Sequence, residues 1–76
     1  MVQAKRRRSG TLAKRLGKSL RQLRADKTLE QFATEIGISK SSLSRIERGE
    51  QNVLIGTLQL MCERLGLDVQ DLFPPE

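Results

Sequence analysis

The chain has 76 residues, enough for one small domain, and combines 37 % hydrophobic with 30 % charged residues at a net charge of +5. It has no histidine and one cysteine, so the commonest general base, the commonest metal ligand, an internal disulfide and a multi-thiolate zinc site are excluded. We therefore expect no metal, no cofactor and no enzymatic activity. The chain has neither an apolar run near 18 residues nor a signal-peptide core, which predicts a cytoplasmic protein without a membrane anchor.

Positive and negative charges are unevenly distributed along the chain. The first ten residues hold four cations and no acid, and residues 11–49 hold nine cations against four acids. Residues 50–76 hold one cation against five acids. The first two thirds should therefore attract a polyanion, while the last third should face away from it.

Residues 1–10 are basic and lack apolar periodicity, so we predict a flexible arm ahead of a domain over residues 11–76. The arm is either a solvated tail or a segment that binds phosphates when nucleic acid is present. Its cations are Lys5, Arg6, Arg7 and Arg8.

A first helix is predicted to begin at Thr11, which would be its cap. Its inner stripe is formed by leucines spaced four, four and three residues apart, at Leu12, Leu16, Leu20 and Leu23. Gly17 should weaken this helix by up to about 1 kcal/mol relative to alanine.

The next two helices are short and closely joined. "TLEQ" is a capping box that begins a second helix at Thr28, and Gly37 should end it. Ser39 caps a third helix, and Gly49 ends it. The inner faces consist of Phe32, Ala33 and Ile36 in the second helix, and Leu43 and Ile46 in the third.

A fourth helix is predicted near residues 55–65 and a short fifth after Gly66. The fourth has an inner face of Ile55, Leu58, Met61, Cys62 and Leu65. Asp68 and Asp71 favour the first turn of the fifth helix, Leu72 and Phe73 close it, and Pro74 ends regular structure. No segment alternates with period two, so the fold is predicted to be all-α with five helices.

Only "GIS" separates the second helix from the third, so the two should cross steeply. A steep crossing needs a small side chain at the contact, which Ala33 supplies, and a turn with positive φ, which Gly37 accepts. The outward face of the third helix then consists of serines, a lysine and an arginine.

This arrangement resembles the helix-turn-helix of the phage repressor/Cro class, the Xre-like family. The resemblance runs from "LRQLRADK" through "TLEQFATEIGISKSSLSRIERGE" to "TLQLMCERLGLDVQDLF". It implies a compact five-helix bundle that binds double-stranded DNA, with the third helix in the major groove.

The resemblance also implies roles for individual side chains. Base reading falls to Lys40, Ser41, Ser44 and Arg45, because lysine and arginine match guanine and short hydroxyls permit close approach. Phosphate contacts are implied for Ser39, Ser42 and Arg48. For each of these residues the alternative is a side chain that merely faces solvent.

Family members commonly pair an arginine late in the first helix with a glutamate in the third, which implies a structural ion pair between Arg24 and Glu47. The sequence departs from the family at two points: the turn "ADK" is short, and Leu29 stands where a phosphate-binding glutamine is common. The missing contact would come from Arg21, Lys27 or the arm.

The acidic last third is where a dimer would form. Leu60 is the first candidate because the core stripe leaves it outside, and Val69 and Phe73 either join the interface or complete the monomer core. The leading hypothesis is a sequence-specific regulator, a repressor that binds a palindromic operator as a homodimer. The alternative is an antitoxin that binds a toxin or other protein partner and also its own promoter.

Overall fold

Five α-helices make up the computed structural model, which describes residues 8–50 and 53–73, with side chains from residue 12 onward. They are α1 (Arg8–Arg24), α2 (Leu29–Ile36), α3 (Lys40–Glu47), α4 (Ile55–Leu65) and α5 (Val69–Leu72). The described ranges contain no strand, and the predicted all-α class is confirmed. None of the described helices has the length and apolarity needed to cross a bilayer.

Helix α1 begins earlier than predicted, at Arg8 rather than Thr11. Once its packed turns have formed, each further residue adds a hydrogen bond at little cost, so the helix extends through Ser9 and Gly10. Residues 8–10 therefore belong to the helix, while residues 1–7 of the predicted arm lie outside the described residues.

The leucine stripe of α1 is only half correct. Leu16 and Leu20 are buried, but Leu12 and Leu23 are 51 % and 37 % exposed. The long α1 packs against α3 and α5, and its ends extend past these partners. Ser19 is buried beside Leu20, so the packed face is centred on the middle of the helix.

Side-chain caps fix the start of α2 and the start of α3, as predicted. Thr28 Oγ1 accepts from Gln31 N at 3.0 Å, and Gln31 Oε1 accepts from Thr28 N at 3.0 Å. Gly37 ends α2 with φ of 82°. Ser39 Oγ then accepts from Ser42 N at 3.1 Å, and α3 begins at Lys40, three residues after Gly37.

The core lies where α2 packs on α3 and α4, and α1 packs on α3 and α5. Its fully enclosed members come from all five helices and are Leu16, Leu20, Phe32, Ala33, Ile36, Leu43, Ile46, Met61 and Leu72. The predicted inner face of α4 is wrong at Ile55, which is 77 % exposed. Ile55 is the first residue of α4.

Polar contacts with α1 anchor α5. Asp68 and Asp71 form a capping box at the start of α5. Ser19 Oγ donates to the Asp71 carbonyl at 3.3 Å, and Arg15 Nη2 donates to the Phe73 carbonyl at 3.0 Å. These bonds satisfy carbonyls at the helix end that would otherwise lack intrahelical partners.

The short turn between α1 and α2 has a left-handed residue that is not glycine. Ala25 has φ of 54°, and its N–H donates to the Arg21 carbonyl at 3.2 Å. Lys27 N donates to the Arg24 carbonyl at 3.0 Å. The chain thus passes from the end of α1 to the cap of α2 through three residues.

Candidate nucleic-acid interface

The turn between α2 and α3 determines which face of α3 points outward. Both Gly37 and Ile38 donate backbone hydrogen bonds to the Ala33 carbonyl, at 2.8 and 3.0 Å. Ala33 itself is buried, so α3 packs closely on α2 through this small residue. Leu43 and Ile46 face the core as a result, and the opposite side of α3 is left at the surface.

That surface contains a groove of about 280 Å³ that runs along α3 from Lys40 to the C-cap residue Arg48. The structure brings all four predicted base readers together in it. Arg48 and Leu29 complete its lining, so α2 contributes one wall. The full set is Leu29, Lys40, Ser41, Ser44, Arg45 and Arg48. The sequence assigns Leu29 no DNA contact, because a leucine side chain cannot bind phosphate. Only the packing of α2 beside α3 shows that Leu29 lies at this surface.

A close contact between α1 and α3 holds the far end of α3 in place. A Cβ atom added to Gly17 would lie 2.6 Å from the carbonyl oxygens of both Ile46 and Glu47. Glycine therefore allows two backbones to approach as no other residue would. From the sequence, Gly17 is only a residue that weakens α1, because helical spacing does not show which backbones lie in contact.

The ion pair between Arg24 and Glu47 is present and bidentate. Arg24 Nε donates to Glu47 Oε2 at 2.9 Å, and Arg24 Nη2 donates to Oε1 at 3.0 Å. The Glu47 side chain is 5 % exposed. The hydrogen bond with Glu47 raises the pKa of Arg24 above its usual value. Arg21 Nη2 also donates to the Glu47 carbonyl at 3.4 Å, so α1 binds the end of α3 through two arginines.

Several predicted phosphate-binding side chains already have partners within the chain. Lys27 Nζ lies 2.6 Å from Glu35 Oε1, and Arg48 Nε lies 3.2 Å from Glu50 Oε2. Ser39 uses its oxygen lone pair as the cap of α3 but keeps its hydroxyl proton as a donor. Lys5, Arg6, Arg7 and the Arg8 side chain lie outside the described part, and every phosphate role stays a prediction.

The candidate dimer residues are not equivalent. Leu60 is not part of the core cluster, in agreement with the sequence. It is half-buried, because the turn between α2 and α3 lies against it: a Cβ added to Gly37 would lie 3.3 Å from its Cδ2. Its role in a dimer stays a prediction. Phe73 is half-buried against the core, whereas Val69 is 48 % exposed.

A second groove, of about 350 Å³, lies between α4 and the start of α5. Its lining is largely apolar and consists of Ile55, Leu58, Gln59, Cys62, Asp68 and Val69. Leu54, which precedes Ile55 in the chain, is 77 % exposed. Burial raises the pKa of the Cys62 thiol, and the charges of Asp68, Asp71 and Glu63 raise it further. Ile55 was missed as a surface residue because the helical spacing assigns it to the core.

Comparison with known proteins agrees with this geometry. A family model described as "Helix-turn-helix" matches residues 18–72, which span the end of α1 to the end of α5. The chain belongs to this helix-turn-helix family. The predicted Xre-like membership is thereby confirmed, and the family is one of DNA-binding transcription regulators rather than of enzymes.

Two relatives and one solved structure share this helix-turn-helix unit. Control protein C.MunI of Mycoplasma sp is 36 % identical over 62 residues, which cover 78 % of this chain and 84 % of that protein. Antitoxin PezA of Streptococcus pneumoniae is 34 % identical over 59 residues, but these span only 37 % of its length. The crystal structure of the hypothetical transcription factor NHTF from Neisseria superposes with a TM-score of 0.73 at 26 % identity, over 84 % of this chain and 76 % of that one.

Proposed function

We propose that this helix-turn-helix protein is a repressor that binds a palindromic operator as a homodimer. The observation that carries the proposal is the convergence of Lys40, Ser41, Ser44 and Arg45 in one surface groove along the outer side of α3. The resemblance between this chain and a control protein supports a regulatory role. A repressor of this kind acts by occupancy, because a dimer bound at a promoter excludes polymerase. Its ligand, chromosomal DNA, places it in the cytoplasm.

The outward side of α3 is suited to the major groove. A helix inserted by its first turns brings Lys40 and Ser41 to base edges, with Arg45 one turn further along. The lysine and arginine match guanine O6 and N7, while serines donate or accept at either base of a pair. Ser39, Ser42 and Arg48 flank this surface and contact the neighbouring phosphates, which orient α3 without selecting sequence.

The second groove supports a two-fold dimer. Ile55 and Val69 are largely exposed apolar side chains on the acidic last third of the chain, which DNA would repel. Pairing this surface with a second copy removes apolar area from water and keeps the acidic last third of the chain away from DNA. Two half-sites would then be separated by about one helical turn, roughly 34–36 Å. The other two candidates from the sequence, Leu60 and Phe73, are half-buried and would each add less area to an interface than Ile55 or Val69.

Selection of bound duplexes from a random library tests the proposal directly. We expect one preferred sequence with two-fold symmetry. Arg45→Ala should flatten the preference at defined positions and leave the remaining positions unchanged. Deletion of residues 1–7 should weaken binding to every sequence alike and reduce its salt dependence. Recovery of no preferred sequence would refute the proposal, and a preferred site without symmetry would refute the dimer.

A second function is supported by the similarity to antitoxin PezA, which is confined to the helix-turn-helix unit. In this alternative the protein also binds a toxin and represses its own promoter. Co-expression with a toxin-like reading frame adjacent to its gene should then rescue growth. Failure of rescue, or a neighbouring gene of another class, would leave the pure regulator as the function.

A further inference from the structure

We infer that Leu29 reads the C5-methyl group of a pyrimidine in the major groove, which makes it a specificity-determining residue. The inference rests on the proposed function, because it requires the start of α3 to lie against base edges. Its structural basis is the groove lined by Leu29 and the base-reading side chains.

Leu29 differs chemically from every other residue that lines this groove. The others carry an ammonium, a guanidinium or a hydroxyl, whereas the Leu29 side chain neither donates nor accepts a hydrogen bond. Leu29 is half-buried and packs against the core from the first turn of α2. One side of Leu29 thus packs against the core, and its exposed side lines the groove.

The chemistry of DNA leaves one suitable partner for that apolar surface. Phosphates and most base edges offer only polar atoms, which an apolar wall cannot satisfy. In the major groove, the C5-methyl group of thymine is the apolar group at a base edge. The methyl of 5-methylcytosine occupies the same position on its ring. Either methyl group would leave water on contact with Leu29, while Lys40 and Ser44 remain available for polar atoms nearby.

The test removes the methyl group without changing base pairing. Each thymine of the selected operator is replaced in turn by deoxyuridine, and each cytosine by 5-methylcytosine, and the dissociation constant is measured. We expect one position in each half-site to depend on a methyl group. If it is a thymine, deoxyuridine there should weaken binding about threefold to fivefold, the factor that corresponds to one buried methyl group. If it is a cytosine, 5-methylcytosine there should strengthen binding by a similar factor.

Protein variants assign the effect to Leu29. The ratio of affinities for methylated and unmethylated duplexes should fall to about one in Leu29→Ala and be retained in Leu29→Met. The ratio is independent of the fraction of folded protein, so it remains interpretable if Leu29→Ala is less stable. Leu65→Ala is the matched control: Leu65 is also half-buried against the core, but it lies on α4 away from the groove, and the ratio should be unchanged.

The outcomes separate this inference from the proposed function. Sequence-specific binding with no methyl-dependent position, or with a methyl effect that survives in Leu29→Ala, overturns the role of Leu29 alone. Absence of specific binding to any duplex overturns the proposed function and the inference with it.

Discussion

Replacing Gly17 by alanine tests whether the close contact between α1 and α3 is the reason that glycine occupies this position. The new Cβ would lie 2.6 Å from two carbonyl oxygens and 2.9 Å from the Glu47 carbonyl carbon. All three atoms belong to the backbone, so no rotamer change relieves the clash, and α1 must withdraw from α3 by roughly 1 Å.

The expected loss follows from two opposing terms. Overpacking costs about 1–3 kcal/mol, and the upper end applies because the contacted atoms are main chain. Alanine recovers up to about 1 kcal/mol through its better helix propensity. We therefore expect a net loss of about 2 kcal/mol, which lowers the melting temperature of a domain this size by roughly 8–16 °C.

Urea and thermal unfolding followed by far-ultraviolet circular dichroism measure this loss, since the chain has no tryptophan or tyrosine. Gly56→Ala is the matched control, because a Cβ at Gly56 of α4 would meet no atom within 4 Å. Its stability should be unchanged or higher. A Gly17→Ala protein as stable as the Gly56→Ala protein would refute the close contact as the reason for glycine here.

Three further changes probe features that the structure makes explicit. In a double-mutant cycle on urea unfolding, the stability losses of Arg24→Ala and Glu47→Ala should sum to more than the loss in the double variant. Each single variant leaves a partly buried charge without its partner. Additive losses would contradict the ion pair. Ala25→Gly should stabilise the protein by roughly 0.5–1 kcal/mol in thermal unfolding, since relief of the left-handed strain exceeds the added chain entropy; a lower melting temperature would contradict it. Cys62 should react with iodoacetamide more slowly in the native protein than in urea at pH 8, because its raised pKa leaves less thiolate in the folded state; equal rates would show that the fold does not suppress the thiolate.

Helix positions were predictable because the signals for them are local. The capping box at Thr28, the cap at Ser39 and the left-handed glycine at position 37 each depend on residues within four positions of one another. The placement of Lys40, Ser41, Ser44 and Arg45 on one side of α3 was also predictable, once Leu43 and Ile46 define the other side. A single helix repeats every 3.6 residues wherever it lies, so these assignments need no knowledge of the fold.

The errors concern the ends of helices and the surfaces between them. Leu12, Leu23 and Ile55 follow the correct helical spacing but are exposed, because periodicity shows which side of a helix is apolar and not how far the neighbouring helix extends. Leu60 lies outside the core cluster, as its spacing indicates, but the contact with the turn at Gly37 that leaves it half-buried is not visible from spacing.

The amino-acid sequence by itself determined the five helices, the helix-turn-helix and the side chains on the outer face of α3, since caps, glycines and apolar spacing act over a few residues. Only the tertiary structure decided that Gly17 allows α1 to touch α3 and that Leu29 shares a groove with Lys40 and Arg45. The physical reason is that these relationships depend on the distance between backbones remote in sequence. That distance is set by the packing of the whole core around Leu20, Phe32 and Ile36.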